Sequence, residues 1–210
     1  MSKLLYVESS PRKDRSVSST VARSFIEAFE ESHHDGQVRI LNLWDYDLPE
    51  FTGDHINAKY NVLHGENPSA EELRAWEEIT RIVDDFKNAD NYLFSIPMWN
   101  FSIPYKLKQY IDVITQPGLT FSYSPETGYK GLIVGKPATV IYASGGEYSN
   151  PGSIRMDFQK LYMETYLKFI GFEDIKTITI EPTLSPPEVR ERVVQLAQEQ
   201  ARTIAHPLLM

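Results

Sequence analysis

Three segments of this chain carry residue types that could hold and work on a ligand. The first is Pro97-Met98-Trp99-Asn100-Phe101-Ser102-Ile103-Pro104, which follows an apolar run and precedes a helical pattern. A turn from strand to helix is ordinarily short and polar, yet this one carries a thioether, an indole, a carboxamide and a phenyl ring. Large flat groups at the carboxyl end of a strand make a wall for a flat ligand, because open α/β sheets bind ligands there. The same groups could equally pack the top of the core. The second segment is Ser9-Ser10-Pro11-Arg12-Lys13-Asp14-Arg15-Ser16-Val17-Ser18-Ser19. It feeds the start of a helix, where free backbone N–H groups and the positive end of the helix dipole favour an anion. Ser10, Ser16 and Ser18 add hydroxyl donors, Val17 can act through its backbone N–H, and Arg12, Lys13 and Arg15 raise the local potential. A terminal phosphate monoester suits such a cradle. The third segment, Ala143-Ser144-Gly145-Gly146, places paired glycines after another apolar run, so the backbone can approach and donate to the edge of a heterocycle.

What the chain lacks narrows the chemistry. Neither G-x-G-x-x-G nor G-x-x-x-x-G-K-[ST] occurs, which argues against a tightly held dinucleotide or a nucleoside triphosphate at the first loop. There are no cysteines, so disulfides, thiolate metal sites and cysteine nucleophiles are excluded. The histidines, His33, His34, His55, His64 and His206, contain no i, i+4 pair of the kind that binds metal on a helix, and no metal site is expected. The net charge of −8, from 21 basic and 29 acidic residues, argues against a nucleic-acid binder or an anionic membrane surface. With 41% apolar and 24% charged residues the composition is that of an ordinary soluble globule, and no apolar run is long enough to span a bilayer. The cytoplasm is the expected location.

The elements that position these segments follow from periodicity. Leu4–Val7, Val38–Leu43, Tyr92–Ile96, Ala138–Ala143 and Ile175–Ile180 read as buried strands. Between them lie helical patterns: Ser16 to about Ser32, with Val21, Phe25, Ala28 and Phe29 on one face; Leu73, Trp76, Ile79, Val83 and Phe86 after a Ser69/Glu72 capping box; Leu107, Tyr110, Ile111 and Ile114 after Pro104; and Ile154, Phe158, Leu161, Tyr162, Thr165 and Phe169. A last helix is expected to start with Ser185 as N-cap, Pro186 as first helical residue and Glu188 closing a capping box, with Val189, Val193, Leu196 and Ala197 facing inward. Thr120–Tyr123 and the turn Pro125–Gly128 predict a small hairpin. Trp44 to Pro68 is expected to be a long loop. One domain over residues 1–210 is expected, an α/β fold of flavodoxin-like, doubly wound type with a five-stranded parallel sheet of order 2-1-3-4-5 and helices on both faces.

At these residues the chain resembles the FMN-dependent NADH azoreductases, also described as NADH:quinone oxidoreductases, over nearly its whole length. The P-M-[WY]-N-F element, here Pro97 to Phe101, is a specific marker. The resemblance implies that FMN is held by Ser10, Ser16, Val17 and Ser18 at its phosphate, by Pro97, Met98, Trp99, Asn100 and Phe101 at its ring, and by Ala143, Ser144, Gly145 and Gly146. It implies a homodimer with the flavin at the subunit interface, NADH or NADPH as reductant, and a quinone or azo compound as acceptor in a ping-pong cycle. The cofactor then carries the chemistry, and no catalytic side chain is required. Phe51, Phe121 and Tyr123 are candidates to line the substrate slot. Two departures stand out: Trp99 where Tyr is common, and Ser144 where Arg is common. The flat face is kept, the cation is lost, and the acceptor stays open. A flavodoxin-like electron carrier docking to a protein partner is the competing expectation, and a fold of this type that binds no flavin is a third.

Overall fold

The computed structural model describes residues 2–64, 66 and 69–206, with the side chains of residues 62–64 excepted. Five strands form one parallel sheet: β1 (Lys3–Glu8), β2 (Gln37–Asn42), β3 (Asn91–Pro97), β6 (Ala138–Ala143) and β7 (Ile175–Ile180), in the order β2-β1-β3-β6-β7. Renumbered over the sheet alone this is 2-1-3-4-5. The central strands β1, β3 and β6 are buried almost throughout, as continuous apolar runs in a doubly covered parallel sheet must be. The expected hairpin is present as β4 (Phe121–Ser124) and β5 (Gly128–Gly131), antiparallel.

Two cores flank the sheet. Side chains alternate, so Leu5, Val7, Phe94, Ile96, Val140 and Tyr142 face α3 (Ala70–Lys87), α4 (Tyr105–Ile114) and α5 (Phe158–Ile170). Leu4, Tyr6, Leu93 and Ile141 face α1 (Val17–Ser32) and α6 (Pro187–Ala205). The register aligns the carboxyl ends of the strands: Glu8 pairs with Ser95, Pro97 with Ala143, and Ala143 with Ile180. The loops after β1, β3 and β6 therefore rise from one edge.

Several expectations need correction. The segment after Trp44 is not loop throughout: Gly53–His64 forms α2, which buries Ala58 and joins α3 through Asn61 Nδ2 donating to Glu72 Oε2 at 3.1 Å. Its apolar periodicity is weak, so the sequence hides it; the expected loop end at Pro68 lies outside the described residues. The Ser69/Glu72 capping box of α3 is present, but Leu73 in its first turn is exposed, and Ile82 is buried with Ile79, Val83 and Phe86. Helix α6 begins at Pro187, with Pro186 as N-cap and no side-chain cap. The residue before a proline is held extended, and Pro186 has ψ 149, so the helix cannot start until Pro187. Ser185 instead donates its hydroxyl to the Pro182 carbonyl at 2.9 Å. Ala197, Ala201 and Ala205 form the buried seam of α6, while Val189 and Leu196 are exposed. In α5 the face bearing Phe158, Leu161 and Thr165 is exposed, and Gln159, Met163, Tyr166, Leu167 and Ile170 meet the core. Among the described residues no helix is long and apolar enough to cross a membrane.

Candidate functional site

The loop after β1 is pinned before it reaches α1. Ser9 donates its N–H to the Ser95 carbonyl at 3.3 Å and its hydroxyl to the same oxygen at 2.7 Å. A short 3-10 turn, Lys13–Arg15, comes next, with Lys13 at φ 49. Ser16 is the N-cap of α1, but its Oγ lies 3.5 Å from Ser19 N, a long contact. It sits 3.1 Å from Ser18 Oγ. Ser10, Ser16, Ser18 and Ser19 are all buried, and Ser19 Oγ has no partner among the described residues. The first-turn N–H groups of Val17 and Ser18 have no acceptor within the helix by construction. Arg12 and Arg15 are exposed and form no ion pair among the described residues, whereas Lys13 is 3.0 Å from Asp45. Buried hydroxyls, helix-start N–H groups and two unpaired cations make a cradle that suits a phosphate dianion.

Beneath the cradle, Tyr6 places its hydroxyl 2.8 Å from Ser95 Oγ. Burial, with Glu8 adding, holds the Tyr6 phenol well above its ordinary value, so it stays neutral under ordinary conditions.

The second segment folds into a tight turn. Trp99 N donates to Ser102 O at 2.8 Å and Ser102 N to Trp99 O at 3.0 Å, with Asn100 at φ 48 and Phe101 at φ 70. Positive φ at both central residues is the primed hairpin geometry, which usually takes Asn-Gly. Asn100 fits it; Phe101 is a bulky residue held in the left-handed region, an outlier that points to a role for its ring. The turn is anchored by Met98 N to Ala143 O at 2.7 Å and by Phe158 N to Phe101 O at 3.0 Å. Gln159, buried, donates to Ile96 O at 3.0 Å. The result presents Phe101 to solvent beside Tyr148, the rings edge to face at 6.4 Å. Trp99, half-buried, lies against Trp44 at 5.7 Å and Tyr105 at 6.2 Å. A cavity of about 490 Å³ opens beside Trp99, Ile103, Tyr105, Lys108 and Tyr162. Burial, with Asp112 adding, pushes Tyr162 up to about 12.

The third segment continues β6. Ser144 N donates to Ile180 O at 3.2 Å, and Leu184 N to Gly145 O at 3.0 Å. A Cβ on Gly145 would come within 2.7 Å of Leu184 Cδ1, the tip of an exposed side chain that is free to swing away. Glu181 organises the rest of this loop: Oε2 accepts from Tyr148 N at 2.9 Å and lies 3.1 Å from Ser144 Oγ, and Oε1 accepts from Ser149 N at 2.9 Å.

The fold thus brings Ser10, Ser16, Val17 and Ser18, the Pro97–Phe101 turn and Ala143–Gly146 to one edge of the sheet. Of the expected slot residues, Phe121 and Tyr123 sit at the hairpin within one chain, away from the end of α5 that meets the aromatic turn. Phe121 packs on Phe169 at 5.0 Å and on Tyr129 at 5.9 Å, and Tyr123 is exposed beside Tyr129. Phe169 and Phe158 are eleven residues apart on α5, roughly 16 Å along its axis. Phe51 packs on the core near His55. Three residues escaped the sequence reading: Trp44, Tyr148 and Glu181. An acid directly after the apolar strand Ile175–Ile180, and a tryptophan two residues after β2, were the available signals. A second cleft of about 480 Å³, by Lys3, Gln37, Arg39, Asp85 and Asn88, opens at the amino-terminal end of the sheet, away from the three loops.

The family model described as flavodoxin-like fold matches residues 2–205, and the chain belongs to that class of proteins. Within it, the chain belongs to the family of the FMN-dependent NADH:quinone oxidoreductases. It is 55% identical over 208 residues to the protein of that name from Desulfotalea psychrophila, covering 99% of this chain and 98% of the relative. It is 46% identical over 207 residues to the one from Nitratidesulfovibrio vulgaris, covering 98% and 99%. Among solved structures, an azoreductase from Bacillus anthracis superposes with a TM-score of 0.90 at 30% identity, over 98% of this chain and 99% of that one. An FMN-dependent NADH-azoreductase from the same species, in complex with FMN, superposes with a TM-score of 0.85 at 31% identity, over 98% and 100%.

Proposed function

We propose that this protein is an FMN-dependent oxidoreductase that passes hydride from NADH or NADPH to quinones and azo compounds, residues 1–210 acting as one unit. The observation that carries the reading is the convergence on one sheet edge of an anion cradle, a flat aromatic turn and a backbone-rich loop. The donor set fits the cofactor: Ser10, Ser16 and Ser18 hydroxyls with the Val17 and Ser18 N–H groups for the phosphate, and Pro97, Met98, Trp99, Asn100 and Phe101 for the ring. Ala143, Ser144, Gly145 and Gly146 supply the polar edge. Bound flavin supplies hydride acceptance and donation. The chain's own work is to hold reacting atoms about 3–3.5 Å apart and to fix orientation. Asn100 and the Gly145–Gly146 backbone orient the ring edge, and Glu181 fixes the loop that carries those glycines.

Reductant and acceptor occupy one slot in turn, so initial-rate plots with NADH and a quinone are parallel. Intersecting plots would mean a ternary complex. Absorption spectra of the purified protein, before and after NADH and then quinone, test the reading as a whole. A flavin spectrum that bleaches and returns supports it, and a protein that stays colourless after FMN is added refutes it.

A homodimer is part of the proposal. Phe101, Tyr105, Ile154, Met156, Phe158 and Leu161 expose apolar side chains around the aromatic turn and the start of α5, residue types that mark an interaction surface when they gather. A second copy covering it would enclose the slot and bring hairpin residues such as Tyr123 within reach of a neighbouring site. A cytoplasmic location belongs to the same reading, because the nicotinamide reductant is found there.

A further inference from the structure

Trp44 touches both halves of the site, and nothing in the phosphate or ring motifs names it. Its indole Nε1–H donates to Ser9 O at 2.9 Å. Ser9 is fully buried, and among the described residues this indole is the donor that its carbonyl meets. The other face of the same side chain meets the aromatic turn: Trp44 lies 5.7 Å from Trp99 and 5.3 Å edge-on from Tyr105. The short turn that carries Trp44 is itself held. Trp44 N donates to Asn42 Oδ1 at 3.0 Å, and Asn42 Nδ2 donates to Asp45 Oδ2 at 2.9 Å. Asp45 then meets Lys13 at 3.0 Å. The turn therefore holds the start of the first loop through the buried Ser9 carbonyl and touches its middle through the exposed Lys13–Asp45 pair, while its indole supports the ring wall.

We propose that Trp44 is a positioning residue that sets the preference for a phosphorylated over an unphosphorylated flavin. Its N–H holds the phosphate cradle in shape, and its ring holds Trp99 and Tyr105 in place. The inference rests on the proposed flavin site. Losing the N–H alone leaves a buried carbonyl without a partner and frees the cradle, while the ring wall stays supported. Losing the ring as well loosens both.

The test measures dissociation constants of the apoprotein for FMN and for riboflavin, in wild type, Trp44→Phe and Trp44→Leu, with thermal unfolding as a check on the fold. Trp44→Phe should weaken FMN about tenfold, because a loosened cradle must then be ordered when the phosphate binds, and leave riboflavin within about twofold. Trp44→Leu should weaken both ligands. Backbone hydrogen exchange in apo Trp44→Phe should speed up across Ser10–Ser16, a readout independent of ligand. Equal losses for FMN and riboflavin in Trp44→Phe, or no loss for either, would overturn the brace while leaving the site intact. A wild-type chain that binds neither flavin would overturn the site and the brace together.

Discussion

Phe101 gives the sharpest perturbation. Its backbone sits at φ 70 in a turn whose hydrogen bonds, Trp99 to Ser102 in both directions and Phe158 N to Phe101 O, are made by main chain alone. Its ring is 46% exposed and meets Tyr148 edge-on at 6.4 Å. Replacing Phe101 by Ala or by Gly removes the same ring, so the two variants differ only in backbone terms. Alanine keeps the left-handed penalty, about 1–2 kcal/mol. Glycine escapes it but loses about 0.5–1 kcal/mol through the greater freedom of its unfolded chain. Phe101→Gly should therefore be the more stable, by up to about 1.5 kcal/mol, although glycine normally costs stability. Both should lose the ring's contact with the flavin, worth about 0.5–1.5 kcal/mol, or about two- to tenfold in affinity. Urea unfolding of the two apoproteins gives the first difference, and titration with FMN gives the second. An alanine variant at least as stable as the glycine one would refute the strain argument. Wild-type FMN affinity in both would refute the ring's role.

Ser18→Ala removes a buried hydroxyl paired with Ser16 Oγ, so FMN binding should weaken by about 1.5–3 kcal/mol and stability should fall by about 1 kcal/mol; Ser16→Ala should show the same losses plus about 0.5 kcal/mol of stability for its long cap contact to Ser19 N. Calorimetric titration together with urea unfolding separates the two, and identical stability losses would contradict the capping assignment. Glu181→Gln puts an amide N–H against the N–H of Tyr148 or Ser149, so stability should fall by about 1–3 kcal/mol, with faster hydrogen exchange at both amides; unchanged exchange would remove Glu181 from its assigned role. If the proposed dimer forms through the exposed face of α5, Leu161→Arg should shift its sedimentation to that of a monomer, and an unaltered dimer would move the interface elsewhere. Burial raises the phenols of Tyr6, Tyr92, Tyr110, Tyr142 and Tyr166. The neutral forms favour the fold, so stability is intact below pH ~10, the unfolded value, and falls as pH rises above it. The part of the phenolate absorbance due to these five should then appear together with the loss of circular dichroism, and full ionisation in a chain that is still folded would contradict the burial.

The buried strands were legible because doubly covered strands leave continuous apolar runs, and Leu4–Val7, Tyr92–Ile96 and Ala138–Ala143 are such runs. Helix α4 was legible because Leu107, Tyr110, Ile111 and Ile114 repeat at helical spacing after Pro104, and all are buried. Helix α2 was hidden because its apolar residues keep only a weak helical period and its partner is another helix rather than the sheet. The outward face of α5 misled for the opposite reason: Phe158 and Leu161 are apolar yet exposed, which periodicity cannot separate from burial in a core. At the site, the motif-bearing loops were readable, since each follows a strand end. Their braces were not. Trp44 and Glu181 act through contacts 35 and 32–37 residues away in sequence, and only the sheet order brings them to the loops they hold.

The position of the FMN phosphate in a crystal structure of the complex is the most direct test of the proposed site. Phosphate oxygens should lie within hydrogen-bond distance of the Val17 and Ser18 N–H groups and the Ser16 and Ser18 hydroxyls, with one face of the ring on the Trp99–Phe101 turn. Phosphate bound anywhere else, or a ring away from that turn, would contradict it.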